Sequence, residues 1–298
     1  MKNLCTLTDS SSYLDKGLAL YDSLMAHSNV GEGFTLHYLC IDDQSYSKLV
    51  ALNLPNLAPY QATAIPELSP TSKQYVHREN DIYTRWQHYC WSLSARFGIW
   101  LFQKQRLPSI MYIDSDIIMY HDIDLVYKDI GRAQLGLTPH LHNGKGDSVG
   151  AYNAGIVFFG AGASKVLGLW NECVCNYRGK YGKKYGTCGD QKYLELLEDE
   201  CDSTHIIGSS VMQGAPWNFR LFDWSAFHMQ DHVYVVYNDR EFPLLWVHFS
   251  HFEPHYNINH YTSGEANYGN FLSVSTGVRD LYNDYLRLLR AAYERYGL

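Results

Sequence analysis

Apolar residues fall along this chain in two kinds of run, short continuous stretches and longer stretches with helical spacing. Residues 3–8 read as a buried strand, and within 13–27 the positions Leu14, Leu18, Leu20, Tyr21, Leu24 and Met25 repeat as one face of a helix. Residues 34–41 alternate and then run apolar, a second strand ending at Asp42-Asp43. The proline-rich stretch 53–70 predicts an irregular connection with a short edge strand near 62–65. Over 81–105, Ile82, Trp86, Tyr89, Leu93, Phe97, Trp100 and Leu101 keep a rhythm of threes and fours, which predicts a helix with Arg85, Tyr89, Ser92 and Arg96 on one flank. Further on the pattern predicts strands at 154–159, 204–211 and 244–249 and helices at 163–177 and 190–197, the latter with Asp190 as its N-cap. Strands alternating with helices imply an α/β fold, and no internal repeat is visible.

The run Met111-Tyr112-Ile113-Asp114-Ser115-Asp116-Ile117-Ile118-Met119 stands apart, because it sets two acids one residue apart inside what reads as a buried strand. A buried carboxylate without a partner is expensive. Successive strand side chains alternate faces, so Asp114 and Asp116 are expected on one side, close enough to share a divalent cation. Short motifs recur by chance, and Asp122-Ile123-Asp124 is a second copy, but it follows His121 in a polar stretch suited to capping a helix. In open α/β sheets ligands bind beyond the carboxyl ends of strands, where the first pair falls.

With 298 residues, 46% hydrophobic and 18% charged, the chain suffices for one large domain with a sizeable core. Its 24 basic and 31 acidic residues give a net charge of −7, which argues against nucleic acid as a partner. Seven cysteines without paired zinc spacing suit a reducing, cytoplasmic setting. The N-terminus lacks the features of a signal peptide, and no window approaches the ~20 apolar residues of a membrane span. The 25 Tyr, 12 Phe and 7 Trp serve either core packing or stacking on sugars and bases.

Taken in order, these segments make the chain resemble a GT-A-fold nucleotide-diphospho-sugar glycosyltransferase. The pattern is most similar to the retaining family that contains glycogenin and the lipooligosaccharide galactosyltransferases. Thr8-Asp9 with Tyr13 resembles the end of the family's first strand, which contacts the nucleoside, and Ser94-Ala95-Arg96-Phe97 the segment whose arginine reaches the donor. Met111 to Asp116 resembles the Asp-x-Asp strand, and Tyr152-Asn153-Ala154-Gly155-Ile156 the strand whose asparagine faces the donor sugar. Gly189-Asp190-Gln191 resembles the helix start whose acid contacts sugar hydroxyls and whose glutamine lies near the reacting carbon. Trp246-Val247-His248-Phe249 resembles the strand carrying the third metal ligand. One departure stands out: where the family continues with glycine and Lys-Pro-Trp, this chain has Ser250-His251-Phe252-Glu253-Pro254.

The resemblance implies a GT-A (Rossmann-like) single domain with a central, mostly parallel or mixed sheet flanked by helices. It implies a catalytic domain over 1–260, divided at 139/140 into a nucleotide-sugar half and an acceptor half, with 261–298 as a helical extension packed on it. Asp114, Asp116 and His248 are expected to hold Mn2+ or Mg2+, Asp114 being shared with the ribose, since a mixed oxygen and imidazole set suits Mn2+ better than Ca2+. Thr8, Asp9, Tyr13, Arg96, Asp114, Ser115, Asn153 and His251 are expected at the donor, with His251, Arg96 or the Lys180–Lys184 loop as the basic contact to the diphosphate. Asp190, Gln191 and Arg96 are the catalytic candidates, and Trp217, Asn218, Trp224 and Phe252 form either an acceptor platform or core.

The implied partners are a UDP-type sugar donor and a glycan or lipid-linked glycan acceptor. The C-terminal helix, with Leu281, Tyr285, Leu288, Leu289 and Tyr293 on one side and Arg279, Arg287, Arg290 and Arg295 elsewhere, is expected to pack on the domain in preference to a membrane surface. A metal-dependent phosphatase, a nucleotidyltransferase and a non-catalytic glycan-binding protein are the alternatives.

Overall fold

The computed structural model describes residues 1–8, 10, 13–28, 33–70, 82–142, 146–176, 180–186, 188–208, 210–225, 227 and 233–298. Asp9 lies outside the described residues, as does the side chain of Arg85. The first half runs β1 (Lys2–Thr8), α1 (Leu14–His27), β2 (Phe34–Cys40), α2 (Asp43–Leu52), β3 (Leu57–Gln61), α3 (Ile82–Lys104), β4 (Ile110–Ile113) and β5 (Ile117–Met119). There follow α4 (Asp124–Ile130), β6 (Leu135–Pro139), α5 (Gly146–Val149), β7 (Tyr152–Phe159), α6 (Ser164–Cys175), α7 (Lys180–Tyr185), α8 (Leu194–Glu200), β8 (Thr204–Ile206) and β9 (Met212–Gly214). The chain closes with β10 (Tyr234–Tyr237), β11 (Arg240–His248), β12 (Glu253–His255), β13 (His260–Thr262), α9 (Glu265–Tyr268) and α10 (Thr276–Tyr296).

The central sheet has the order β3-β2-β1-β4-β7-β6-β8. It is parallel from β3 through β4 and at β6/β8, and antiparallel where β7 meets β4 and β6. Both faces are covered, which is why its strands read as continuous apolar runs. On β4, Met111 and Ile113 face a core shared with α1 and α10, while Ile110 and Tyr112 face one shared with α3 and α6. A second sheet, β10-β11-β5 with β9 beside β11, stands against the first core.

Two expectations are corrected. The edge strand lies at Leu57–Gln61 and not at 62–65, where Ala62–Ala64 form a single 3-10 turn; Pro59 is tolerated because β3 has a neighbour on one side only. The run 111–119 is not one strand: β4 belongs to the central sheet and β5 to the second, with Asp114-Ser115-Asp116 in the turn between them. Ile117 N donates to Asp114 O (3.2 Å) across that turn, so tight chain reversal, and not strand pleating, gathers the two carboxylates.

Helix α10 buries Val278, Leu281, Tyr282, Tyr285, Leu286, Leu289, Ala292 and Tyr296, while Tyr293 is 40% exposed. The buried stripe is thus rotated from the expected one, toward the residues that meet Phe249 and Phe252. Its arginines are engaged within the protein: Arg279 with Leu272 O, Arg287 with Asp284, Arg290 with Tyr256 O and Arg295 with Asp22. No helix among the described residues is long and apolar enough to cross a membrane.

If α10 is integral to the core, Leu289→Ala will cost about 2–5 kcal/mol, the range for deleting a buried leucine. Arg287→Ala, which truncates the exposed partner of Asp284, will shift the urea midpoint far less. Equal midpoints for the two variants would show a peripheral helix.

Candidate active site

A cavity of about 470 Å³ opens at the carboxyl ends of β1 and β4, lined among others by Tyr13, Trp91, Asp114, Asp190, Trp217 and His248. Its floor is the turn between β4 and β5. Asp114 N donates to Gly155 O (2.8 Å) and Phe249 N donates to Asp116 O (2.9 Å), so this turn is tied to β7 and to the segment after β11. Tyr112 Oη donates to Asp114 Oδ1 (2.8 Å).

His248 ends β11, whose antiparallel pairing sets it opposite Ile117. Its Nε2 lies 3.1 Å from Asp116 Oδ1 and 3.7 Å from Asp114 Oδ2. Its Nδ1 meets Asn153 Oδ1 at 3.3 Å. An amide oxygen only accepts, so Nδ1 carries the hydrogen and Nε2 is the nitrogen turned to the carboxylates. Asn153 is fixed in turn, since its Oδ1 accepts from Gly155 N (2.9 Å) and its Nδ2 donates to Gln191 Oε1 (2.8 Å). Gln191 Nε2 donates to Val149 O (2.7 Å), which ends the chain of bonds. Position 155 requires glycine by close approach: a Cβ there would lie 2.6 Å from His248 Nδ1 and 2.7 Å from Asn153 Oδ1.

The electrostatics follow from burial among like charges. Burial raises the Asp114 carboxyl above its ordinary range, and the His248 charge only partly opposes it. At Asp116 burial also acts upward, but the charge and hydrogen bond of His248 outweigh it and hold the group down. Burial disfavours charge on His248, yet Asp116 outweighs it and its pKa is raised. Lys16 adds positive charge beside them; it is buried, its Nζ donates to Phe252 O (2.8 Å) and stands 4.0 Å from the Tyr13 ring centre. Two carboxylates and an imidazole whose ligand atoms lie within 4.8 Å of one another suit a divalent ion, and the fixed tautomer of His248 presents the nitrogen such an ion needs.

Asp190 sits apart from this triad. Its Oδ2 accepts from Ser94 Oγ (2.9 Å), and its side chain caps no helix N–H, so the N-cap role does not hold. Burial, reinforced by the Asp114 charge, pushes the Asp190 carboxyl up to about 7.

Several expected residues come together at the cavity: Tyr13, Asp114, Ser115, Asp116, Asn153, Asp190, Gln191, Trp217 and His248 all line it. Others do not. Arg96 is buried on the opposite flank of α3, donating to Glu67 O, Ser69 O and Ser92 Oγ. Helical geometry explains the difference, because Trp91 and Ser94 share one face while Ser92 and Arg96 share another. Thr8 is buried with Oγ1 donating to Ser10 O, and His251 turns to the surface at φ 59°. Lys180 pairs with Glu172 (3.9 Å). Asn218, Trp224 and Phe252 are core residues; Asn218 Oδ1 accepts from Ala215 N, and Trp224 Nε1 donates to Phe219 O. Residues the sequence did not single out are Trp91, Tyr112, His140, His142 and Tyr268, which line the cavity, and Lys16, whose charge acts on Asp116; the (i, i+3) spacing of Trp91 and Ser94 was the one usable signal.

No protein-family model matches the chain. It is similar to YfnD of Bacillus subtilis strain 168, an uncharacterized protein 24% identical over 255 residues that span 82% of this chain and 76% of that one. Among solved structures it is similar to the apo form of mouse xyloside xylosyltransferase 1, with a TM-score of 0.53 and 15% identity over 84% of this chain and 97% of that one. It is also similar to galactosyltransferase LgtC in complex with donor and acceptor sugar analogs, with a TM-score of 0.53 and 14% identity over 93% of this chain and 95% of that one. An active-site mutant of LgtC aligns with a TM-score of 0.56 and 14% identity over 91% and 94% of the two chains. The chain therefore has the GT-A fold, as its motifs implied.

The raised Asp190 carboxyl has a measurable consequence for the metal-free protein. A carboxyl that binds its proton more tightly when folded loses stability as pH rises from its unfolded value near 4 through its folded value near 7. In EDTA, Asp190→Asn is expected to match the native chain at pH 4 and to melt higher at pH 8, as read by calorimetry. A native-like pH profile in the variant would place the titrating group elsewhere.

Proposed function

We propose that the chain is a metal-dependent glycosyltransferase that moves a hexosyl group from a UDP-sugar to a hydroxyl of a glycan or lipid-linked glycan. The observation that carries this reading is the convergence of Asp114, Asp116 and His248 on one cavity at the strand ends of a GT-A fold. A glycan-binding protein that uses no metal would gain nothing from holding two carboxylates against a histidine at such electrostatic cost.

In this reading Asp116 and His248 hold Mn2+, with Mg2+ as the substitute, and Asp114 is shared between the ion and the ribose. When bound, the ion supplies Lewis-acid neutralisation of the leaving diphosphate. Asn153 and Gln191 act as positioning residues, because both amides are used in orienting His248 and the backbone before Ala151. Tyr13 and Ser115 border the donor. Lys16 provides the fixed positive charge that the segment Ser250 to Pro254 lacks. The donor side comprises 1–139 and the acceptor side 140–260, in keeping with Tyr13, Trp91 and Asp114 lining the cavity together with His140 and Trp217; 261–298 is the helical extension, which adds Tyr268 to the lining. A cytoplasmic location accords with seven free cysteines.

Asp190 decides the stereochemistry. We read the transfer as retaining, with Asp190 holding sugar hydroxyls beside the reacting carbon. Its raised proton affinity favours a second reading, inversion with Asp190 as the general base that takes the acceptor proton. The anomeric coupling of the first-formed product, read by NMR, separates them.

A thermal-shift panel of sugar nucleotides with Mn2+ is expected to pick out one donor, whose turnover stops in EDTA and falls by about 10²-fold or more in Asp116→Ala. Full metal-dependent activity in that variant, or release of phosphate from phosphomonoesters in place of sugar transfer, would refute the assignment. Gly155→Ala is expected to weaken Mn2+ binding by about 10-fold or more by displacing His248, as measured by titration calorimetry.

A further inference from the structure

Three flat rings stand in file along one wall of the cavity. His142 and His140 have ring centres 5.1 Å apart, His140 and Trp217 4.8 Å, and each pair lies within 10° of parallel. The file is anchored from behind: Trp217 Nε1 donates to His140 O (2.8 Å), and Gln213 Nε2 donates to Pro139 O (2.8 Å), which together pin the end of β6. Trp217 has little free surface, being stacked by His140 and met by the rings of His248 and Tyr268, so it is not an open platform for a sugar.

Polar recognition on this wall falls to the two imidazoles. The Nδ1 atoms of His140 and His142 are both buried and have no hydrogen-bond partner among the described residues. His140 is only 5% exposed. Leaving a buried ring nitrogen unpaired costs stability, and native proteins seldom do so without a ligand or water to complete it. The metal triad, Asn153 and Gln191 are tied to one another, and no bond of that network involves either of these nitrogens.

We propose that Nδ1 of His140 and Nδ1 of His142 receive hydroxyl groups of the acceptor, which is an uncharged, polyhydroxylated sugar where it meets this wall. The proposal rests on the glycosyltransferase reading. A neutral imidazole offers one donor and one acceptor nitrogen, and a hydroxyl pairs with either. Burial disfavours charge on the His140 ring, which is stacked on Trp217, so an acidic sugar or a phosphate is a poor match there.

The test uses the full chain loaded with Mn2+ and UDP, and a panel of p-nitrophenyl glycosides as acceptor probes. With UDP bound, saturation-transfer NMR reads contact with their sugar protons; with the UDP-sugar picked out by thermal shift in place of UDP, glycoside-stimulated release of UDP reads transfer. His140→Phe and His142→Phe keep a flat ring in the file and remove the nitrogens. Each is expected to raise the KM of the glycoside that the native chain takes up by about 10-fold, with UDP affinity shifted less than about twofold and the loss falling on KM and not on kcat. An unchanged glycoside KM would mean that the nitrogens hold water only, and parallel loss of UDP affinity would assign them to the donor side or the fold. A native chain that binds a sugar nucleotide with Mn2+ yet contacts no glycoside overturns the acceptor assignment. One that binds no sugar nucleotide overturns the glycosyltransferase reading itself.

Discussion

The orientation of one imidazole governs the arrangement of this molecule's candidate site. His248 is held between an amide oxygen that can only accept and two carboxylates that carry charge, so its two nitrogens have different jobs. That arrangement joins four segments: β11 supplies the ring, the turn after β4 the acids, β7 the amide, and the residues after Gly189 the glutamine that holds the amide. Gly155 allows them to meet, since any side chain there would collide with the ring it supports.

The same concentration of acids sets the chemistry. Asp114, Asp116 and Asp190 border one cavity, and burial alone would raise all three. They separate because His248 and Lys16 favour the charged form of Asp116, whereas Asp190 accepts from the neutral hydroxyl of Ser94 and feels Asp114 as a like charge. A carboxylate fit to hold a cation and one fit to exchange a proton near neutral pH thus arise from the same residue type by environment.

Regular elements were readable where periodicity was strong. The helix at 82–104 and the strands at 2–8 and 34–40 fall within a residue or two of their expected limits, because each has a long apolar pattern matched to its period. The pattern erred where the chain changes sheets. Nine residues from Met111 to Met119 look like one strand by composition, and nothing local reveals that Ile110–Ile113 and Ile117–Met119 pair with different partners. Arg96 misled for a related reason: its residue type suited an anionic ligand, but its position on α3 turns it to the carbonyls of Glu67 and Ser69. Ser94, two residues earlier, reaches Asp190 instead.

By itself the sequence determined the α/β class, the order of the elements, and the identity of the acids and histidine that stand at the cavity. The class, the order and the pair Asp114 and Asp116 follow from apolar period and from the cost of burying charge, both of which act over a few residues; His248 and Asp190 follow from the resemblance of the ordered segments to the glycosyltransferase pattern. Tertiary structure alone decided which side chains turn inward. The stacked file of His142, His140 and Trp217, the approach of Lys16 to Asp116, and the retreat of Thr8 and His251 depend on contacts between segments far apart in the chain. Such contacts are fixed by packing, and packing leaves no periodic trace in the residues that make it.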